Sequence, residues 1–168
     1  IFCRQDYYFP KNFNSVIDIG SNIGLSSIYW LTRNSHCKIY CYEPSTVNFY
    51  RLKKNLESFE NRCTLNNLAV SNYNGSGDLH LEKYGVYSSL KIRDKEKEKE
   101  YFNKEKCQIV DINQCLEEVL KNNDEVDILK IDNEGEEVKT VSSINKSFWK
   151  FIKCINVDGN NVREYIPS

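Results

Sequence analysis

Val16-Ile17-Asp18-Ile19-Gly20-Ser21-Asn22-Ile23-Gly24 is the stretch on which the reading of this chain turns. Its first four residues read as a short apolar strand with one acid, Asp18, set inside it. Gly20 and Gly24 frame a turn, and the helix that follows carries Leu25, Ile28 and Tyr29 on one face. A glycine in such a turn lets the backbone come close to a ligand, because no Cβ blocks the approach. The start of the helix points unpaired N–H groups and a partial positive charge into the same turn. A second acid, Glu43, follows roughly twenty residues later, the spacing of an adenosine-cofactor site.

The rest of the chain extends this pattern. Residues 38–42 read as a second strand that ends at Glu43-Pro44, and Ser45 or Thr46 can cap the next helix through a side-chain oxygen. Phe49, Leu52, Leu56 and Phe59 then recur at helical spacing. Residues 63–70 read as a third strand, so the order β-α-β-α-β argues for an α/β fold with a parallel sheet and right-handed crossovers. Leu79 and Leu81 alternate with polar residues, and residues 86–92 do so more loosely. This predicts an antiparallel excursion near residues 78–92. Residues 93–106, with their alternating Lys-Glu run, read as a solvated loop or helix face. Regular structure resumes at residue 107. Asp111 caps a helix with the stripe Ile112, Cys115, Leu116, Val119 and Leu120. Residues 126–131 form a buried strand, the turn Asp132-Asn133-Glu134-Gly135 follows, and a helix over about 136–145 turns Val138, Val141 and Ile144 inward. Residues 151–157 are the last strand.

No linker or internal repeat divides the 168 residues, so a single domain is expected: a lead-in at 1–15, a core at 16–158 and a tail at 159–168. The net charge of −1 argues against a protein that wraps nucleic acid. No apolar run is long enough for a membrane span. The seven cysteines are an odd number, which fits a reducing, cytoplasmic setting better than a disulfide scaffold. Cys37 and Cys41 share a face of an apolar strand, where cysteine packs as a small hydrophobe, and no metal site is expected. His36 and His80 read as surface residues. With no methionine and isoleucine at position 1, the chain is expected to be a piece of a longer product.

In a parallel sheet three acidic strand ends share one edge: Asp18 with its glycine turn, Glu43, and Asp132 with Glu134. Ligands of open α/β sheets bind outside the carboxyl ends of the strands. A carboxylate such as Glu43 can accept from both vicinal hydroxyls of a ribose. A dinucleotide site calls for G-x-G-x-x-G, whereas this turn has no third glycine and holds an acid, which would repel a phosphate but attract an ammonium. S-adenosylmethionine carries an ammonium, a sulfonium and a ribose, and no phosphate. The charge pattern favours it over NAD.

The segments V-I-D-I-G-S-N-I-G, C-Y-E-P and L-K-I-D-N-E-G-E-E together resemble the FkbM family of class I methyltransferases. Leu68-Ala69-Val70-Ser71, Gly75 and Val110-Asp111 fall at further positions of that pattern. The resemblance implies a Rossmann-like class I methyltransferase fold, a mostly parallel central sheet flanked by helices, that binds S-adenosylmethionine. It implies O-methylation of a hydroxyl on a sugar, glycolipid or natural product, a small-molecule or glycan acceptor. Carried over, Asp18, Gly20, Ser21, Asn22 and Gly24 match the first cofactor motif. Glu43 matches the ribose acid, with Pro44 beside it, and Ala69 lies in the A-V-S segment. Lys130, Asp132, Glu134 and Gly135 match the signature beside the transfer site. Ser21 stands where alanine is usual, Asn133 where an apolar residue is, and Asp158 where glutamate is frequent. The closing C-terminal strands of a complete class I fold are expected to be missing.

Asp132 and Glu134 are thus the expected bases for the acceptor hydroxyl, and Lys130 orients or stabilises one of them. Two other readings compete. A methyltransferase fold can serve as a binding module without turnover, and an NAD-binding oxidoreductase shares the general architecture.

Overall fold

Strand β1, Ser15–Ile19, is buried along its whole length, which explains its near-continuous apolar sequence. Ile17 and Ile19 pack into one core cluster and Val16 into another, so the strand has a covered core on each face. The structure is a computed structural model and describes residues 10–82, 88–90 and 101–157. The first nine residues of the lead-in, the Lys-Glu run at 95–100, parts of the 78–92 excursion and the tail from 158 onward lie outside the described residues.

β1 is followed by helix α1, Leu25–Arg33, strand β2, Lys38–Tyr42, helix α2, Thr46–Asn55, and a 3-10 turn at Glu57–Arg62 that leads into strand β3, Cys63–Asn66. The later elements are strands β4, Ala69–Ser71, β5, Gly75–Glu82, β6, Ser88–Ser89, and β7, Tyr101–Asp111, then helix α3, Ile112–Leu120, strand β8, Ile128–Ile131, helix α4, Glu137–Ser142, and strand β9, Ile155–Val157. Five strands pair in the order β3-β2-β1-β8-β9, all parallel. Trp30 and Leu31 of α1 and Leu52 of α2 cover one face, while the stripe of α3 with Val141 and Ile144 covers the other. The mostly parallel α/β architecture read from the sequence is therefore present. β1 lies between β2 and β8, so the chain reverses direction across the sheet at β1, where such folds open a crevice.

The excursion is a second sheet in the order β4-β7-β5-β6. β5 runs antiparallel to both β6 and β7, whereas β4 is parallel to β7. Ala69, Leu79, Cys107 and Ile109 form its own small core.

Four boundaries differ from the sequence reading. Residues 63–70 are two strands in two sheets. Asn67 breaks them apart: its Nδ2 donates to the carbonyl oxygens of Glu43 at 2.9 Å and Pro44 at 3.0 Å, which turns the chain toward the second sheet. Residues 101–106, read as part of a solvated charge run, belong to β7. Lys104 and Lys106 are exposed, and backbone pairing with β5 supplies the order that their side chains do not announce. α4 is only six residues long and begins at Glu137, so Thr140 is fully buried and Val138, expected inward, is 39% exposed. The last strand shrinks to β9 because a 3-10 turn, Trp149–Phe151, occupies its expected start.

Candidate functional site

The carboxyl ends of β1, β2 and β8 meet the start of β4 around one cleft. Gly20 and Asn22 come from the β1 turn, Glu43 and Pro44 from the end of β2, and Leu68 and Ala69 from the crossing between the sheets. Asp132, Asn133 and Glu134 line it from the β8 side, and Leu79 of β5 and Leu90, the residue after Ser89, line it as well.

The β1 turn is built on left-handed backbone. Gly20 has φ +72° and Gly24 φ +89°, and Asn22, at φ +51°, is one of the side chains that tolerate this region best. A Cβ on Gly20 would lie 1.7 Å from the carbonyl oxygen of Asp132, so the first glycine makes room for the β8 turn while still lining the cleft. A Cβ on Gly24 would meet Leu52 at 2.7 Å, so this glycine lets α1 start against α2. Tyr42 O accepts from the N–H groups of Gly20 and Ser21, at 3.0 and 3.1 Å, which pins the turn to the end of β2.

Glu43 is 3% exposed, and both its oxygens are held. Oε2 accepts from Asn22 N–H at 2.8 Å and Oε1 from Ser45 N–H at 2.9 Å. Burial pushes its carboxyl up to about 7, although the two amide bonds and the Lys130 charge pull the other way. Each oxygen keeps an acceptor lone pair beyond the one already used, so the group can still take hydroxyl donors.

Under the turn lies a buried charge cluster. Asp18, fully buried, accepts at Oδ2 from Ser26 Oγ at 2.7 Å and Ser27 Oγ at 2.6 Å. Its Oδ1 faces Lys130 Nζ at 3.0 Å, as the pairing of Asp18 with Lys130 across β1 and β8 allows. Lys130, 3% exposed, also donates to Gly20 O at 2.9 Å and lies 3.4 Å from Asp132 Oδ2. One ammonium thus faces two carboxylates, of which only that of Asp132 reaches the cleft. Ser21 is likewise buried, its hydroxyl donating to Asp18 O at 2.6 Å.

The β8 turn is strained and braced. Glu134 has φ +49° and Gly135 φ +116°. Gly135 N–H donates to Glu137 Oε1 at 2.7 Å, and Asn133 Nδ2 donates to Val70 O at 3.1 Å and Thr140 Oγ1 at 3.0 Å. Glu136, also buried, accepts from Ser71 Oγ at 3.2 Å and Lys139 Nζ at 3.0 Å.

Of the residues singled out from the sequence, Gly20, Asn22, Glu43, Pro44, Ala69, Asp132 and Glu134 line the cleft. Asp18, Ser21, Gly24 and Lys130 do not; they support the turns from beneath. Sequence reasoning missed Ser26, Ser27, Asn67 and Ser89. The serine pair in the first turn of α1 was a usable signal, since a buried strand acid needs donors. Asn67 and Ser89 carried none, because their partners are backbone carbonyls of distant residues. Among the described residues no group of His, Cys, Asp and Glu could hold a metal ion, and no helix is long and apolar enough to cross a membrane.

A parallel sheet with its cleft at the strand reversal, a glycine turn and a buried acid at the second strand end defines a Rossmann-like α/β protein. Residues 18–160 match the model of the methyltransferase FkbM domain, and the chain belongs to that family. It is 24% identical to methyltransferase sdnD of Sordaria araneosa, over 85% of this chain and 65% of that protein. The crystal structure of methyltransferase FkbM from Methylobacillus flagellatus KT superposes with a TM-score of 0.50 at 14% identity, covering 82% of this chain and 30% of the other. That likeness is one of fold. The chain spans just under two thirds of the first relative's length.

Proposed function

We propose that the cleft binds S-adenosylmethionine and that the chain directs its methyl group to a hydroxyl oxygen of a small-molecule or glycan acceptor. The observation that carries this reading is Glu43, a buried carboxylate at the end of β2 that lines the cleft with both oxygens held in place by backbone N–H groups. A vicinal diol is the natural donor pair for such a group. Pro44, Leu68 and Ala69 beside it offer an apolar surface for a base, and no lysine or arginine among the described lining residues is placed to hold a pyrophosphate.

When bound, this cofactor supplies a methyl carbon that a sulfonium makes electrophilic, so orientation and proton removal are what the protein must add. Glu43 fixes the cofactor's sugar end. Asp132 and Glu134, across the cleft from Glu43, would take the proton of an acceptor hydroxyl as its oxygen bonds to the methyl carbon and the methyl–sulfur bond breaks, leaving S-adenosylhomocysteine. Lys130 touches Asp132 from beneath and serves to orient it. Leu79 and Leu90 keep water from that side of the cleft.

The test is to identify any co-purifying ligand by mass spectrometry and to follow transfer from tritiated-methyl S-adenosylmethionine into extracted small molecules and glycans. Labelled product sensitive to Asp132→Asn or Glu134→Gln supports the reading. Binding without labelled product from any extract would instead favour a binding module.

A further inference from the structure

We infer that Ser89 is a positioning residue for Glu134, so that the small second sheet sets the geometry of the acceptor side. This deepens the methyl-transfer reading and rests on it. Ser89 is 3% exposed, and its Oγ donates to the carbonyl oxygen of Glu134 at 2.7 Å, across 45 residues of sequence. The bond is made at the one residue of the β8 turn where a side chain with a Cβ occupies left-handed backbone, at φ +49°. A glycine would be at ease there, and Gly135 stands next to it; a glutamate is held there only if its surroundings fix the backbone. Hydrogen bonds from two sides contribute to this. Glu137 takes the N–H of Gly135 from the helix side, and Ser89 takes the carbonyl of Glu134 from the sheet side.

The placement of Ser89 is itself fixed by pairing. β6 has two residues, and Ser89 pairs with His80 of β5. The next residue, Leu90, lines the cleft, as does Leu79 of β5. The short strand therefore carries the clasp on the acidic turn, and the residue after it lines the cleft. The hydroxyl acts through the backbone of Glu134, which distinguishes it from a proton-transfer group.

The test compares the parent chain with Ser89→Ala, which removes the donor, and Ser89→Thr, which keeps it with strand-compatible branching. Three readouts are taken: transfer of tritiated methyl from S-adenosylmethionine into an extract that the parent labels, calorimetric binding of S-adenosylhomocysteine, and amide hydrogen exchange over residues 132–136. Ser89→Ala is expected to lower the saturated transfer rate by about 10–100-fold through misplacement of the turn, with binding of S-adenosylhomocysteine within about twofold and faster exchange over the turn. Ser89→Thr is expected to restore all three. Parent-like transfer or parent-like exchange in Ser89→Ala overturns the inference. So does a loss in Ser89→Thr as large as in Ser89→Ala, since volume rather than the hydroxyl would then matter. A parent that neither binds S-adenosylhomocysteine nor labels any extract overturns the reading of the cleft instead, and the exchange comparison still decides whether Ser89 holds the turn.

Discussion

Gly20 and Asp132 are in backbone contact: a Cβ on Gly20 would stand 1.7 Å from the Asp132 carbonyl oxygen. The β1 turn and the acidic β8 turn are thus one packed unit, with each shaping the other. Gly20→Ala must either shift the β8 turn or open the β1 turn, and its φ of +72° adds strain for any side chain. The expected loss of stability is about 2–4 kcal/mol, at the large end for single substitutions. Urea denaturation checks this, and a variant as stable as the parent would show that the two turns can part freely.

The Asp18–Lys130 pair lies wholly inside the protein. Lys130→Met removes the only ammonium facing Asp18 among the described residues and strands a buried carboxylate, a loss of about 3–5 kcal/mol. Adding Asp18→Asn should recover much of that loss, because a neutral amide no longer needs a counter-charge. A double-mutant cycle by chemical denaturation measures the coupling.

Glu43 gives the fold a pH dependence with a definite sign. Its folded value of about 7 lies above the ordinary carboxylate range, so the folded state binds the proton more tightly than the unfolded chain. The stability it contributes is present in full below about pH 4.5 and is lost as pH rises to about 7, a difference of about 3 kcal/mol. Denaturation of the ligand-free parent and of Glu43→Gln across this window should show the slope in the parent alone. Hydroxyl donors favour the ionised form, so binding of S-adenosylhomocysteine should release a proton and tighten between pH 6 and pH 8. Calorimetry in buffers of different ionisation enthalpy reads that proton directly.

Asp132→Asn and Glu134→Gln separate the two candidate bases. Neither should alter affinity for S-adenosylhomocysteine by more than a few-fold, while the variant at the true base should lose about 10²–10⁴-fold in methyl transfer. Parent rates in both variants would make the turn structural.

How much of this the sequence disclosed follows from the range of the interactions. β1, β2 and β8 were readable because strands packed between two covered faces are mostly apolar, and the acids that follow β2 and β8 stood out against that background. The same contrast exposed Glu43, Asp132 and Glu134. The role of Asp18 as a buried partner of Lys130, Ser26 and Ser27 was not readable, because an acid in a turn motif looks alike whether it faces ligand or core. β7 hid inside a charged run because its order comes from backbone pairing with β5. The division at Asn67 and the clasp at Ser89 depend on side-chain hydrogen bonds to one or two distant carbonyls, which leave no periodic trace in sequence.

The central claim is that Glu43 holds the sugar of S-adenosylmethionine in the cleft at the β1–β2 strand ends. Calorimetric titration of S-adenosylhomocysteine into the parent and into Glu43→Ala at pH 8 tests it most directly. The expected result is saturable one-to-one binding by the parent, weakened in the variant by about 1.5–3 kcal/mol, the worth of hydrogen bonds to a charged group. Equal affinity in the two proteins, or no binding by a folded parent, would contradict it.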